Sequence, residues 1–534
     1  MGPTPTVGTR DDAEQIQARR WWILGTLCVC LIVIGVDNTI LNVALPSIVR
    51  DLNASGSQLQ WMVDAYTIVF ACLLLTAGSL GDRYGRKHAL SFGLVWFGAC
   101  SALASRASSP EMLIGARALM GVGGAFIFPT TLSILTNTFR DPNERARAIG
   151  IWAGVAGIGI AIGPLAGGLL VEHFGWSSVF LINVPVCAAA LVLTRLLIPN
   201  SGDRGESPLD PVGALLSIVG LVGVLYAIIE APNIGWTAPE VLGGFVVGIG
   251  FIATFAWWEW RNPHPMLDVR FFRNPRFSAA SGTITLAYFA LFASTFLLTQ
   301  YFQFILGYSP LKSGLMLTPV AIGLMIGSPS APRLVVRHGT KRVVVAGLIV
   351  IACCMACYGS NTIMSSFTIG FVVRLIYGVG MGITTAPVTE SIMGSLPPAR
   401  AGVGSAVNDT TRQTGGALGV AMLGSVFAAR YHQVIDAARN VPAGILRQGR
   451  DSIGTSLQVA NRHRDTSGAA LRAAARHAFL SSMRVTYALA VVIVLGAAAF
   501  AAKFLPARAA PVEAPVDADD TATALFVGAE NAAR

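Results

Sequence analysis

The chain has 534 residues, of which 53% are hydrophobic and only 12% charged, and its mean hydropathy is +0.61. Soluble proteins of this length need more charge, while apolar runs able to cross a bilayer core of about 30 Å recur here along most of the chain. Barrel-style alternation is absent, so the expected class is an all-α polytopic membrane protein. The formal charge of +10 invites a nucleic-acid reading, but topology accounts for most of it, and no nucleic-acid partner is expected.

In chain order the apolar runs predict fourteen spans: 22–45, 61–80, 88–105, 112–136, 146–171, 178–198, 212–231, 240–259, 278–302, 313–331, 343–359, 366–395, 402–428 and 482–504. A charged tail, 1–20, precedes the first run and no small-residue cleavage pattern follows it, which predicts a retained span and not a signal peptide. With that tail inside, cytoplasmic connections collect Arg83, Arg86, Lys87, Arg140, Arg145, Arg147, Arg333, Arg337, Lys341 and Arg342 among others. Short outer connections hold only Arg50, Arg106 and Lys312. The asymmetry places both termini in the cytoplasm of an inner or plasma membrane protein.

One connection departs from this rule. Residues 430–481 are expected outside yet carry Arg439, Arg447, Arg450, Arg462, Arg464, Arg472 and Arg476. Long connections follow the rule less strictly, and the Ala-rich composition predicts short helices over the outer face. The segment 505–534, rich in Ala, Pro and acidic residues, reads as a disordered cytoplasmic tail.

An internal repeat organises the rest. Arg83-Tyr-Gly-Arg-Lys87 returns as Arg337-His-Gly-Thr-Lys341, and Arg117-x-x-x-Gly121-x-Gly123 returns as Arg374-x-x-x-Gly378-x-Gly380. Two six-span bundles in parallel orientation fit this, one over 21–198 and one over 276–504, with two inserted spans in a linker over 199–275. Parallel repeats about an axis along the membrane normal are a transporter arrangement with the substrate site between the halves.

The first span carries Asp37, Asn38 and Asn42 before Pro46. An acid in the middle of a membrane-length segment is costly, and such acids mark proton or ion paths; the alternative is a neutral acid hydrogen-bonded to its neighbours. Asp37 lies fifteen residues beyond Trp22, about 22 Å in at ~1.5 Å per residue. Counting inward from Met112 brings Arg117 to a similar depth, so the two unlike charges are expected to pair, and the pair is expected to tune proton affinity. Asp64, near the outer rim of the second span, reads either as a proton-entry group or as a hydrated rim residue.

The fifth span holds Gly154, Gly157, Gly159, Gly163, Pro164, Gly167 and Gly168. No strand precedes Gly157-x-Gly159 and the run is apolar, which argues against a dinucleotide loop. Small residues let membrane helices approach closely and Pro164 favours a kink; a moving interface and static packing are equally open. In the thirteenth span Asn408, Asp409, Arg412 and Gln413 either form an internal pair or line a cavity. Arg374 reads as the structural echo of Arg117. Cys353, Cys354 and Cys357 have no nearby His or acid, and the seven histidines form no metal-binding pair, so neither a metal site nor a catalytic constellation is expected.

Several of these stretches resemble the major facilitator superfamily. Gly78-Ser-Leu-Gly-Asp-Arg-Tyr-Gly-Arg-Lys87 is similar to its signature loop, which implies a conformational switch built on Gly78, Asp82, Arg83, Gly85, Arg86 and Lys87. Arg117 to Gly124 resembles its fourth-span motif, and Gly150 to Gly168 its antiporter motif. Asp37 to Pro46 and Asn408 to Gly416 resemble the fourteen-span drug:proton antiporters. In the second half Val336 stands for Asp82 and Thr340 for Arg86, so the repeated loop keeps anchoring without the acidic switch. Asp82 is expected to cap the start of the thirteenth span, whose free N–H groups attract an anion.

The expected activity is proton-coupled export of small hydrophobic or cationic compounds, drugs or secondary metabolites, by a monomer in the lipid bilayer. It would use the proton gradient and no cofactor, and no Gly-Lys-Ser/Thr phosphate loop argues for ATP. Transport of a single metabolite such as a siderophore or lipid precursor is the alternative; a membrane enzyme ranks below both.

Overall fold

A helix is the only structure that satisfies its own backbone in lipid, and the computed structural model is helical accordingly, with no strand among the described residues. It describes residues 10–52, 54, 56–199, 210–263, 265, 267, 269–360, 367–397, 401–438, 440–450, 453–463 and 466–507. The tail expected to be disordered and most of the linker before the inserted spans lie outside these residues, as do the side chains of Asn42, Asp64 and Pro164.

The first half comprises α1 (Arg10–Leu52), α2 (Gly56–Tyr84), α3 (Arg86–Ala104), α4 (Pro110–Thr138), α5 (Pro142–Phe174) and α6 (Ser178–Leu197). The inserted pair is α7 (Pro211–Ile234) and α8 (Pro239–Arg261). The second half follows as α9 (Pro275–Gln300, continued by a π-helical turn Tyr301–Ile305), α10 (Pro310–His338), α11 (Thr340–Tyr358), α12 (Phe367–Met393) and α13 (Ala401–Asp436). Short α14 (Ala443–Gly449) and α15 (Ile453–Arg462) precede the last span, α16 (Thr466–Phe504).

Among the described residues, eleven helices are long and apolar enough to cross a membrane. The remaining three predicted spans fall on α3, α5 and α13, of 19, 33 and 36 residues, each able to cross ~28 Å or more. The sixth predicted span is broken at Ile182, which divides Ser178–Leu181 from Asn183–Leu197.

Packing reproduces the sequence repeat. α2 packs on α4 as α10 does on α12, α3 on α4 as α11 on α12, and α1 on α5 as α9 on α13. The contact points match residue by residue: a Cβ on Gly123 would meet Gly93 O at 3.0 Å, and one on Gly380 would meet Gly347 O at 3.2 Å. Both reversals after the second span of a half turn on a glycine at positive φ, Gly85 at 101° and Gly339 at 86°, a conformation open to glycine at little steric cost. Gly78 has a different task from the reversal expected of the loop glycines. It lies inside α2, where a Cβ would come within 2.6 Å of Gly402 O on α13.

The halves meet through α2 with α13 and α5 with α10, while α7 and α8 pack on each other and α7 rests on α2 and α13. The short helices expected over the outer face form: α14 and α15 sit on α16, and Tyr431 Oη lies 2.8 Å from Ser456 Oγ.

Candidate functional site

Asp37 on α1 and Arg117 on α4 are both buried, and Arg117 Nη1 donates to Asp37 Oδ2 at 2.5 Å. Each charge therefore cancels much of the cost of burying the other. Three further groups complete the arrangement. Arg117 Nε donates to Met62 O at 3.1 Å, and its guanidinium lies over the Tyr66 ring at 4.3 Å. Asn183 Nδ2 donates to Asp37 Oδ1 at 3.0 Å and to Ser101 Oγ at 3.1 Å. Both carboxylate oxygens thus have donors from different helices, which holds the acid in one position.

Asn183, Met62 and Tyr66 were not singled out from sequence. Asn183 carried a readable signal, an amide inside an apolar span. Met62 acts through a backbone carbonyl, which no side-chain pattern reveals.

The glycines of α5 divide between two partners. Toward the end of the helix, a Cβ on Gly163 would fall 1.8 Å from Thr39 Oγ1, and one on Gly159 would fall 2.8 Å from Gly35 Cα, both on α1. Further toward the start of α5, Gly150 faces Ser328 O at 2.6 Å and Gly154 faces Met325 Cα at 3.4 Å, both on α10 of the other half. Gly167 is buried and Gly168 half-buried. One helix therefore joins static packing at one end to an interface between halves at the other.

Asp82 sits at the end of α2 facing the start of α13. Gly402 N donates to Oδ2 at 2.8 Å and Val403 N at 3.2 Å, while Arg86 Nε and Nη2 hold Oδ1 at 2.9 and 2.8 Å. An acid on one half thus caps a helix of the other. Lys87 Nζ donates to Arg195 O at 2.9 Å, and Arg83 lies against its neighbour Tyr84 at 5.5 Å. A second tie, missed in the sequence, crosses the halves nearby: Arg145 on α5 and Glu390 on α12 pair at 2.7 Å.

In α13, Asn408, Asp409 and Arg412 are buried together, with Asp409 Oδ2 and Arg412 Nε left without hydrogen-bond partners among the described residues. Asn408 Nδ2 donates to Asp409 Oδ1 at 3.1 Å, Arg412 Nη1 lies 4.0 Å from the same oxygen, and Arg412 Nη2 donates to Thr389 Oγ1 at 2.8 Å. The guanidinium lies between the Trp152 and Tyr288 rings, at 5.3 and 5.0 Å, and so reaches from one half toward the other. Gln413 is half-buried and Asn38 exposed.

The Major Facilitator Superfamily profile matches residues 27–420. The chain belongs to this superfamily. Multidrug efflux pump LfrA of Mycolicibacterium smegmatis is 36% identical over 488 residues, covering 90% of this chain and 95% of that protein. The tetracenomycin C resistance and export protein of Streptomyces glaucescens is 31% identical over 525 residues, covering 95% and 96%. Among solved structures, a bacterial homolog of the human lysosomal transporter Spinster, inward-facing and unoccupied, aligns with a TM-score of 0.57 at 17% identity, over 92% of this chain and 99% of that one. The proton:xylose symporter XylE aligns equally well, with a TM-score of 0.57 at 15% identity, over 92% and 96%. These two likenesses concern the superfamily fold, which is a transporter's and not an enzyme's.

Proposed function

We propose that this member of the superfamily exports drugs or antibiotics from the cell in exchange for protons, with both termini in the cytoplasm and one chain as the working unit. The curated relatives named for multidrug efflux and antibiotic export support the substrate class. The observation that carries the coupling is the buried Asp37, held at once by Arg117 and Asn183. A carboxylate in that position can exist in two protonation states whose relative cost depends on how close Arg117 stays. Asp37, Arg117 and Asn183 all stand on helices of the first half, so the link to alternating access is a rearrangement within that half that changes this distance as the halves move.

Asp82 and the Arg145–Glu390 pair lie at the end that the basic residues assign to the cytoplasm. They support a state closed inside and open outside, from which substrate leaves and protons enter. No cofactor is needed for this cycle, since the proton gradient supplies the free energy. Ethidium efflux from an expressing strain, with and without an uncoupler, tests the reading. Efflux that survives collapse of the gradient would remove the proton.

A narrower substrate range is the second reading, because relatives include proteins named for resistance to single antibiotics, puromycin and methylenomycin A. Resistance of the expressing strain to one compound out of a broad panel would select it.

A further inference from the structure

Arg374 repeats Arg117 in sequence and in position on its helix, but not in its surroundings. It is buried in α12 at 3% exposure, with its guanidinium over the Phe302 ring at 5.1 Å. Among the described residues no hydrogen bond or ion pair reaches it, and its Nε is buried without an acceptor. Arg117, by contrast, has Asp37, Met62 O and Tyr66. No acidic residue pairs with Arg374 among the described residues: residues 269–389 contain neither Asp nor Glu, and α16 contains none either. Glu390 is at the opposite end of α12 and already engaged by Arg145.

A guanidinium cannot shed its proton at any accessible pH. A buried charge without a partner is strongly unfavourable. The surroundings are polar as well as aromatic. Tyr301, Tyr308 and Tyr358 are close enough to interact electrostatically with the guanidinium. The Tyr358 hydroxyl is buried with no hydrogen-bond partner among the described residues. Tyr301 and Phe302 belong to the single π-helical turn at the end of α9, a local irregularity that recurs at functional sites. The guanidinium packs over Gly370 one turn away, where a Cβ would come within 3.1 Å of Arg374 Nη1.

We propose that Arg374 and the Tyr358 hydroxyl bind a single negatively charged group, of chloride size or the carboxylate of a transported compound, in the place that an aspartate fills in the first half. Phe302 stacks on the guanidinium and leaves its N–H edge for the anion, and Tyr358 adds a neutral donor. This site is independent of the proton-coupling reading: it predicts anion binding whether or not Asp37 carries the proton.

The test uses the full chain in nanodiscs of neutral lipid, with the unfolding midpoint followed as chloride replaces isethionate, a larger sulfonate, at constant ionic strength. A parallel titration with acetate represents a carboxylate. Saturable stabilisation by several degrees is expected; response to both anions indicates a general site, and response to acetate alone a substrate carboxylate subsite. Arg374→Gln should abolish the response. Tyr358→Phe, the milder change, should raise the half-saturating concentration about tenfold, the weight of one hydrogen bond to a charged group. Phe302→Glu should supply an internal carboxylate and make stability indifferent to either anion. Equal midpoints for the unaltered protein in chloride, acetate and isethionate would overturn the proposal, as would a response unchanged in both Arg374→Gln and Tyr358→Phe.

Discussion

Arg145 and Glu390 stand on opposite halves of the molecule, and both Nε and Nη2 of the arginine converge on one carboxylate oxygen, at 3.0 and 2.7 Å. The pair is only partly exposed, 25% and 16% for the two side chains. An ion pair with this much water access contributes about 1 kcal/mol, enough to shift a two-state equilibrium about fivefold. Glu390→Gln should therefore lengthen the distance between spin labels at Tyr84 and Arg337, which mark the inner ends of the halves. The exchange of charges, Arg145→Glu with Glu390→Arg, should restore it. An unchanged distance distribution in the single variant would rule out a latch.

Asp82 offers a separate test of the same closed end, because its carboxylate caps α13 through Gly402 and Val403. Loss of a helix cap costs about 1 kcal/mol, and here that cost falls on one state of the cycle. In a cysteine-free background, a cysteine placed at Ser405, which is fully buried, should react faster with a soluble maleimide in Asp82→Ala. Equal labelling rates would remove Asp82 from the switch.

Asp37→Asn keeps the shape of the side chain and its neighbours but cannot ionise. Proton-driven efflux should fall to the background of empty vesicles while the protein remains folded. Arg117→Ala should behave differently, destabilising the fold by about 3–5 kcal/mol because it leaves a buried carboxylate unpaired. Thermal unfolding of the two variants side by side separates the effects. Intact efflux in Asp37→Asn would exclude the coupling role.

The two ends of α5 make opposite predictions. A methyl on Gly163 meets Thr39 Oγ1 within its own half, so Gly163→Ala should destabilise the fold by about 1–3 kcal/mol, with partial recovery on adding Thr39→Ala. A methyl on Gly150 meets Ser328 O across the halves, so Gly150→Ala should loosen the inner contact with a smaller effect on stability. Unfolding midpoints together with label distances decide between them.

Much of the architecture was legible in the chain because a bilayer narrows the choices. Apolar length predicts where helices run, and all fourteen predicted spans coincide with helices. The repeat predicts two related halves, and the packing around Gly123 and Gly380 shows them. The pairing of Asp37 with Arg117 followed from depth alone, since a buried charge leaves few partners. Glu390 escaped notice because Arg145 could be read as one more topological charge.

By itself, the sequence determined the membrane class, the stretches that form helices and the repeat. All of these depend on local composition and on distance along one chain. Only the tertiary structure decided which faces meet: Asn183 on Asp37, Met62 O on Arg117, Gly163 on Thr39 but Gly150 on Ser328. A helix that is apolar all round has no preferred face in its sequence pattern. Its rotation is set by where small residues let backbones approach and where polar groups find partners. The same physics leaves Arg374, the copy of Arg117, without a carboxylate partner among the described residues.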